Sequence, residues 1–148
     1  MGNEDAIDLP RAKVDGSAYD FSFSGLKSAV LNYLNGAQMK GEQIVQADVA
    51  ASFQKAVVDV LVSHSRNAID EFGFQDFALA GGVASNSGLR AAMEEMCKEK
   101  SVRFYVPPAI LCTDNAAMIA AAGYYDYLAG RLSGSDLNAR PALRLGDR

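Results

Sequence analysis

The sequence of 148 residues has no tryptophan, a single histidine and only two cysteines. A single histidine excludes every site in this chain that needs two imidazoles, such as Cys2His2 zinc sites and HExxH proteases. Cys97 and Cys112 lack the CxxC spacing of a zinc or redox site, so we expect two reduced thiols. Any metal site contained in this chain alone is therefore expected to be incomplete.

Long apolar runs and basic leader residues are also missing. No run approaches the roughly 18 apolar residues of a membrane-spanning helix, and the first residues, Met-Gly-Asn-Glu-Asp, are acidic where a secretory signal is basic. We expect a cytoplasmic protein without membrane contact.

The net charge of −4 argues against a freestanding nucleic-acid binder, because phosphate contacts require clustered Lys and Arg. Positive charge exceeds negative in a tail over residues 131–148, where four arginines stand against two aspartates. The arginines are Arg131, Arg140, Arg144 and Arg148. Composition favours a solvated tail over a binding surface.

The pattern of apolar residues predicts helices and strands in alternation. Aromatic and polar residues alternate over residues 19–24, which predicts a half-buried strand, and a helix capped by Ser24 then extends to Asn35-Gly36. A longer helix is predicted from about residue 46 to residue 72, ending at Gly73. His64 lies on its apolar stripe and is expected to be a core residue, not a ligand.

Two strand–helix units follow. The first strand is predicted over residues 74–80, and an amphipathic helix with Arg90 on its polar face follows it. The second strand is predicted over residues 102–106. A helix over residues 115–128, closed by Gly130, follows that strand. Such alternation indicates an α/β protein with parallel strand pairing. The few strand candidates predict an incomplete sheet flanked by helices.

The segment from Gly81 and Gly82 to Asn86 lies between a predicted strand and helix. Glycines allow a ligand to approach the backbone, and the first amides of a helix attract anions or polar nucleotide edges. Asn86 offers both a donor and an acceptor. The alternative is an ordinary glycine turn with Ser85 or Asn86 as helix cap, and the residues alone leave both open.

Two further charged residues stand at predicted helix starts. Asp114 is, on spacing alone, more typical of a helix cap, although a carboxylate at the mouth of a parallel sheet can also bind a divalent cation. Lys27 opposes the dipole of its helix, so it is either tolerated at the surface or offset by an anionic partner. No catalytic triad can be drawn with one histidine.

Three stretches together resemble the TsaD family of tRNA N6-adenosine threonylcarbamoyltransferases, formerly called O-sialoglycoprotein endopeptidases. They are YDFSFSGLK at 19–27, AGGVASN at 80–86 and LCTDNAAMI at 111–119. The resemblance implies the C-terminal part of an actin-like ATPase fold, with residues 1–130 forming a partial lobe and residues 131–148 a basic tail. It also implies transfer of a threonylcarbamoyl group from threonylcarbamoyl-AMP to N6 of adenosine 37 in tRNAs that read ANN codons.

The resemblance assigns roles to four residues. Gly81, Gly82 and Asn86 match the family's nucleotide-side motif, and Asp114 matches the aspartate of a metal site, with iron or zinc expected as the metal. The resemblance covers about the C-terminal half of the family's chains, so the family's HxxxH pair of metal ligands is missing. It gives no chemical role to Lys27 or its FSFSGLK motif.

The implied partners are tRNA, the missing N-terminal lobe and the synthesis proteins TsaB and TsaE of bacteria. We expect the chain alone to be inactive, with an exposed apolar face where the N-terminal lobe would lie. A non-catalytic nucleotide- or partner-binding module is the alternative from a different class. A metalloglycopeptidase is disfavoured, because neither a nucleophile nor a complete metal site can be drawn.

Overall fold

A computed structural model describes residues 2–11, 14 and 17–142 of the chain. Within this part the secondary structure comprises four α-helices, two β-strands and two short 3₁₀ turns. The helices are α1 Ser24–Lys40, α2 Gln46–Phe72, α3 Ser87–Glu99 and α4 Ala116–Leu128; the strands are β1 Asp76–Ala78 and β2 Arg103–Tyr105; the turns are Gly82–Ser85 and Ala109–Leu111. The α/β class predicted from the sequence is confirmed.

The strands β1 and β2 pair in parallel, with Phe77 opposite Phe104, and α3 makes the crossover between them. Each strand has three residues, shorter than the predicted 74–80 and 102–106. A strand extends only as far as a neighbour accepts its hydrogen bonds, and here each strand has one neighbour within the described chain. The expectation of a small sheet flanked by helices is confirmed.

Helix α2 has the bounds that the apolar pattern predicts. It ends at Phe72, and Gly73 adopts φ of 67°, a left-handed conformation that glycine enters without steric cost. Gly73 N–H donates to the carbonyl oxygen of Ile69 at 2.9 Å, which satisfies one of the last free carbonyls. His64 is 91% buried on this helix, as its place on the apolar stripe predicts.

The predicted strand over residues 19–24 is wrong. Residues 19–23 have no regular structure, and their rings pack on α2 instead. The Phe21 ring stacks on His64 at 5.1 Å between centroids, and Tyr19 lies 5.5 Å from Phe72. The rings therefore contact a helix, and the segment does not form the ladder hydrogen bonds that a strand requires.

Helix α1 differs from its prediction at both ends. Phe23, not Ser24, occupies the N-cap position, and within the described part of the chain its side chain forms no capping hydrogen bond. The helix passes through Gly36 and continues to Lys40, because one interior glycine costs only about 1 kcal/mol. It ends at Gly41, whose φ is 68°.

Among the residues that the structure describes, two apolar clusters form the core of the unit that ends at Cys112. The larger lies between α2, α3 and the sheet and contains Ile69, Leu89, Met93, Met96, Cys97 and Val102. The smaller joins the N-terminal segment and α1 to α2 through Leu9, Leu26 and Ala56. Helix α3 is thereby fixed against both α2 and the sheet, and its N-terminus follows the glycine segment.

The chain divides into two compact units, one ending at Cys112 and the other beginning at Thr113. The second contains α4, which has no buried side chain. The proposed tail over residues 131–148 stays a prediction; Arg144 and Arg148 lie outside the described residues. In the described ranges, none of the helices combines the length and apolar character needed to cross a bilayer.

Candidate functional site

The glycine segment leaves β1 at the carboxyl end of the parallel pair, where ligands of α/β proteins collect. Gly81 has φ of 87°, which requires glycine, whereas Gly82 starts a 3₁₀ turn. A Cβ atom built on Gly82 would meet nothing within 4 Å among the described residues. Packing within this unit therefore does not require glycine at 82, and the open space beside its backbone suits a ligand that lies close to it.

Asn86 is the N-cap of α3. Its side-chain Oδ1 accepts a hydrogen bond from the Leu89 amide at 2.8 Å, so the capping role considered from the sequence is confirmed. Its Nδ2 donates to Oε1 of Gln54 on α2 at 2.9 Å. A carboxamide has two donor hydrogens and two acceptor lone pairs, so each group of Asn86 can accommodate one further partner. Capping and ligand binding by Asn86 are thus compatible.

Gln54 and Arg90 belong to the same region, and the apolar pattern of the sequence indicated neither of their contacts. Arg90 was predicted on the polar face of α3, but it is half-buried and connects three segments. Its Nε donates to the carbonyl oxygen of Ala84, and its Nη2 donates to the carbonyl oxygen of Pro107 at 2.8 Å and to Cys112 Sγ at 3.1 Å.

Arg90 thereby ties the glycine segment to the loop after β2. The available signal was the residue type, because an arginine guanidinium presents five donors in a fixed plane and can join several acceptors. The apolar periodicity of α3 indicated only that Arg90 lies on the polar face of the helix.

Asp114 is exposed and does not cap α4. Asn115 is the cap instead, with Oδ1 accepting from the Met118 amide at 2.9 Å. The sequence-based preference for Asp114 as a cap is therefore wrong by one residue. Within the described part of the chain its carboxylate has no hydrogen-bond or ion-pair partner, which leaves both oxygens available for a ligand.

The described residues hold no group of three or more His, Cys, Asp or Glu side chains that could bind a metal ion. His64 is covered by the Phe21 ring, and its Nδ1 lacks a hydrogen-bond partner there. Asp114 can supply one hard oxygen ligand, which suits a divalent cation as part of a larger set.

Lys27 lies exposed in the first turn of α1, at the edge of a shallow apolar groove of about 470 Å³. The groove is lined by Phe23, Ser24, Lys27, Val30, Leu31 and Phe53. Among the described residues no carboxylate pairs with Lys27, which agrees with a cation tolerated at the surface. The structure assigns no chemical role to it.

The structure brings Gly81, Gly82 and Asn86 together in one segment of the first unit. Asp114 belongs to the second unit. Burial raises the pKa of the Cys97 thiol. Cys97 lies in the larger apolar cluster, so it is a core residue. Cys97 and Cys112 are both free thiols, as the spacing predicts.

Comparison with known proteins identifies the family. A family model described as "TsaD: tRNA N6-adenosine threonylcarbamoyltransferase" matches residues 1–121. A protein of Clostridium botulinum (strain Hall) named tRNA N6-adenosine threonylcarbamoyltransferase is 56% identical over 147 residues, which are 99% of this chain and 43% of the relative.

Two further relatives carry the same name. The protein of Clostridioides difficile (strain 630) is 55% identical over 97% of this chain and 43% of its own length. That of Clostridium beijerinckii is 52% identical over 100% of this chain and 44% of its own length. The chain thus spans less than half the length of these curated relatives, and the match includes both the glycine segment and Asp114. From these matches, the chain belongs to the TsaD family of tRNA N6-adenosine threonylcarbamoyltransferases.

Proposed function

We propose that this chain is the C-terminal part of a tRNA N6-adenosine threonylcarbamoyltransferase with an actin-like fold. The observation that carries the proposal is the family match over residues 1–121, together with an open glycine segment at the carboxyl end of a parallel strand pair. The reaction transfers the threonylcarbamoyl group from threonylcarbamoyl-AMP to N6 of adenosine 37 of tRNA. The new bond joins the carbonyl carbon to N6, and AMP leaves.

In this proposal the first unit binds the adenosine side of the substrate. The backbone at Gly81 and Gly82 lies beside open space, and the adjoining α3 contributes free amides and a positive dipole end. Asn86 adds one donor and one acceptor beyond those used by Leu89 and Gln54. The amides and the Asn86 carboxamide can form hydrogen bonds with the polar edges of the adenosine. The two glycines place no side chain between the backbone and the ligand.

Asp114 contributes one ligand to the metal ion. Its exposed carboxylate, without a partner among the described residues, fits that role, whereas the nearby Asn115 is already engaged as a cap. When bound, the metal supplies Lewis-acid stabilisation to the threonylcarbamoyl carbonyl. Two histidines from residues outside this chain complete the ligand set, so the chain alone is expected to be inactive.

The partners proposed for the complete protein are tRNA and, in bacteria, TsaB and TsaE, in the cytoplasm. Arg140 is exposed and belongs to the basic tail proposed to face tRNA. Arg131 is less available, because it forms an ion pair with Asp126. The salt dependence of tRNA binding measures how much the basic tail contributes. Each phosphate contact that is lost makes the slope of log affinity against log salt concentration shallower by about one.

Calorimetric titration with AMP tests the nucleotide site. Asn86→Ala is expected to weaken binding at least about tenfold. Asn86→Asp keeps a cap acceptor but loses the Nδ2 donor, so it separates recognition from helix stability. Lys98→Ala, on the exposed face of α3, is the matched control. Unchanged AMP affinity in both Asn86 variants would place any binding elsewhere and contradict the proposed nucleotide site.

A tRNA modification assay tests whether this chain needs the remaining polypeptide of the enzyme for activity. The 148-residue chain alone is expected to give no threonylcarbamoyladenosine, and addition of the relatives' remaining polypeptide is expected to permit it. Turnover by the chain alone contradicts the proposal. AMP binding without activity in the completed protein would favour the alternative of a non-catalytic nucleotide-binding module.

A further inference from the structure

The Asn86 carboxamide can satisfy its two neighbours in only one orientation. The backbone N–H of Leu89 is a donor, so the oxygen Oδ1 of Asn86 must face it, and the two atoms lie 2.8 Å apart. The nitrogen Nδ2 then points to helix α2, where it donates to Oε1 of Gln54 at 2.9 Å. A reversed carboxamide would set donor against donor at Leu89. Gln54 therefore accepts the one N–H that the cap geometry directs towards α2.

Gly88 leaves the space that the Gln54 carboxamide occupies. A Cβ atom built on Gly88 would lie 3.0 Å from Nε2 of Gln54 and 3.3 Å from Oδ1 of Asn86. Gly88 belongs to the first turn of α3 and has helical backbone geometry, which residues with side chains adopt readily. Glycine destabilises a helix relative to alanine. The close approach of Gln54 thus gives a physical reason for glycine at a position where the backbone does not require it.

We infer that Gln54 is a positioning residue for Asn86 and that Gly88 provides the room for this contact. The inference rests on the proposed nucleotide site, in which Asn86 meets the adenosine side of the substrate. A carboxamide is planar, so the bonds to Leu89 and Gln54 together fix its plane and the direction of its second N–H. Without Gln54 the cap bond remains, but Asn86 can turn about it, and a ligand must restore the order.

Calorimetric titration tests the role of Gln54. Adenosine is the probe, because it carries no phosphate that a new carboxylate could repel. Gln54→Ala is expected to weaken adenosine binding about fivefold, the effect of one net hydrogen bond. Gln54→Glu keeps an oxygen acceptor for Nδ2 and should bind within about twofold of the unchanged chain. Gln38→Ala, at an exposed position of α1, is the matched control and should leave the affinity unchanged.

Gly88→Ala tests the same contact from the other helix. The added methyl group displaces the Gln54 carboxamide, so a loss similar to that of Gln54→Ala is expected. The double variant should bind adenosine no more weakly than Gln54→Ala, because the contact is already lost. Losses that multiply would overturn the role given to Gly88. Gly36→Ala in α1 is the control, since a Cβ atom built there meets nothing within 4 Å among the described residues.

Hydrogen exchange at the Leu89 amide separates positioning from helix stability. Asn86→Ala removes the cap acceptor and should speed this exchange. Gln54→Ala should leave it unchanged while the adenosine affinity falls, and this combination supports the inference. Equal acceleration in both variants would mean that Gln54 only stabilises the cap, which overturns the inference.

The titrations also distinguish this inference from the nucleotide site on which it rests. Adenosine binding that is weakened by Asn86→Ala but unchanged by Gln54→Ala overturns the positioning role and leaves the nucleotide site standing. Binding that neither variant changes, or no binding of adenosine to the unchanged chain, contradicts the nucleotide site and the inference with it.

Discussion

Replacement of Arg90 by alanine removes the link between the glycine segment and the loop after β2. The guanidinium group donates to the carbonyl oxygens of Ala84 and Pro107 and to Cys112 Sγ. Arg90→Ala therefore removes the guanidinium donor from all three acceptors. Because the side chain is half-buried, water can restore part of this loss.

The magnitude follows from the number and type of these bonds. A hydrogen bond from a charged donor contributes about 1.5–3 kcal/mol, whereas sulfur is a weak acceptor. Two carbonyl bonds, partly replaced by water, give an expected loss of about 3 kcal/mol in the free energy of unfolding. Arg90→Lys keeps the charge but cannot reach all three acceptors, so about half of that loss is expected.

Urea denaturation followed by circular dichroism measures the change. With the m-value of a small domain, about 3 kcal/mol lowers the midpoint by roughly 1–3 M. Lys98→Ala on the same helix is the control, because its contact with Glu95 is an exposed ion pair of 3.9 Å and a change within about 0.5 kcal/mol is expected. Equal midpoints for Arg90→Ala and Lys98→Ala would refute the assigned role of Arg90.

Three further predictions concern pH, capping and thiol access. Hydrogen bonds from Arg103 hold the pKa of Asp76 below its usual value, so the ionised carboxylate stabilises the fold above about pH 3.9. This stabilisation disappears as the pH falls through the lower pKa of the folded state. The urea midpoint of Asp76→Asn should therefore fall less between pH 7 and pH 3 than that of the unchanged chain, and an equal fall argues against the Arg103–Asp76 pair. Asn115→Ala should cost about 1 kcal/mol and speed hydrogen exchange at the Met118 amide, whereas Asp114→Ala should leave it unchanged; the reverse order would restore Asp114 as the cap. Cys97, fully buried with a raised pKa, should react with DTNB only after unfolding in urea, and prompt reaction of the folded chain contradicts this burial.

Local patterns predicted the regular elements that depend on local interactions. Helix α2 and its end at Gly73 follow from apolar spacing and from the left-handed conformation that glycine favours. The parallel pairing of β1 with β2 follows from a strand–helix–strand order. The segment around Phe21 was mispredicted as a strand. Alternation of aromatic and polar residues is compatible both with a strand in a sheet and with an irregular segment whose rings pack on helix α2.

The candidate site divides in the same way. The glycine segment and the start of α3 at Asn86 could be located from sequence, since backbone freedom and capping are properties of neighbouring residues. The contacts of Arg90 could not, because its acceptors come from loops 6, 17 and 22 residues away. The roles of Gly81, Gly82, Asn86 and Asp114 in binding stay predictions.

The sequence by itself determined the α/β class, the family and the positions of the long helix and the glycine segment, because periodicity and motif residues act over short stretches. Only the tertiary structure decided where the rings around Phe21 pack and which loops Arg90 joins. Those outcomes depend on distances between residues that are remote in the chain, and no local pattern encodes them.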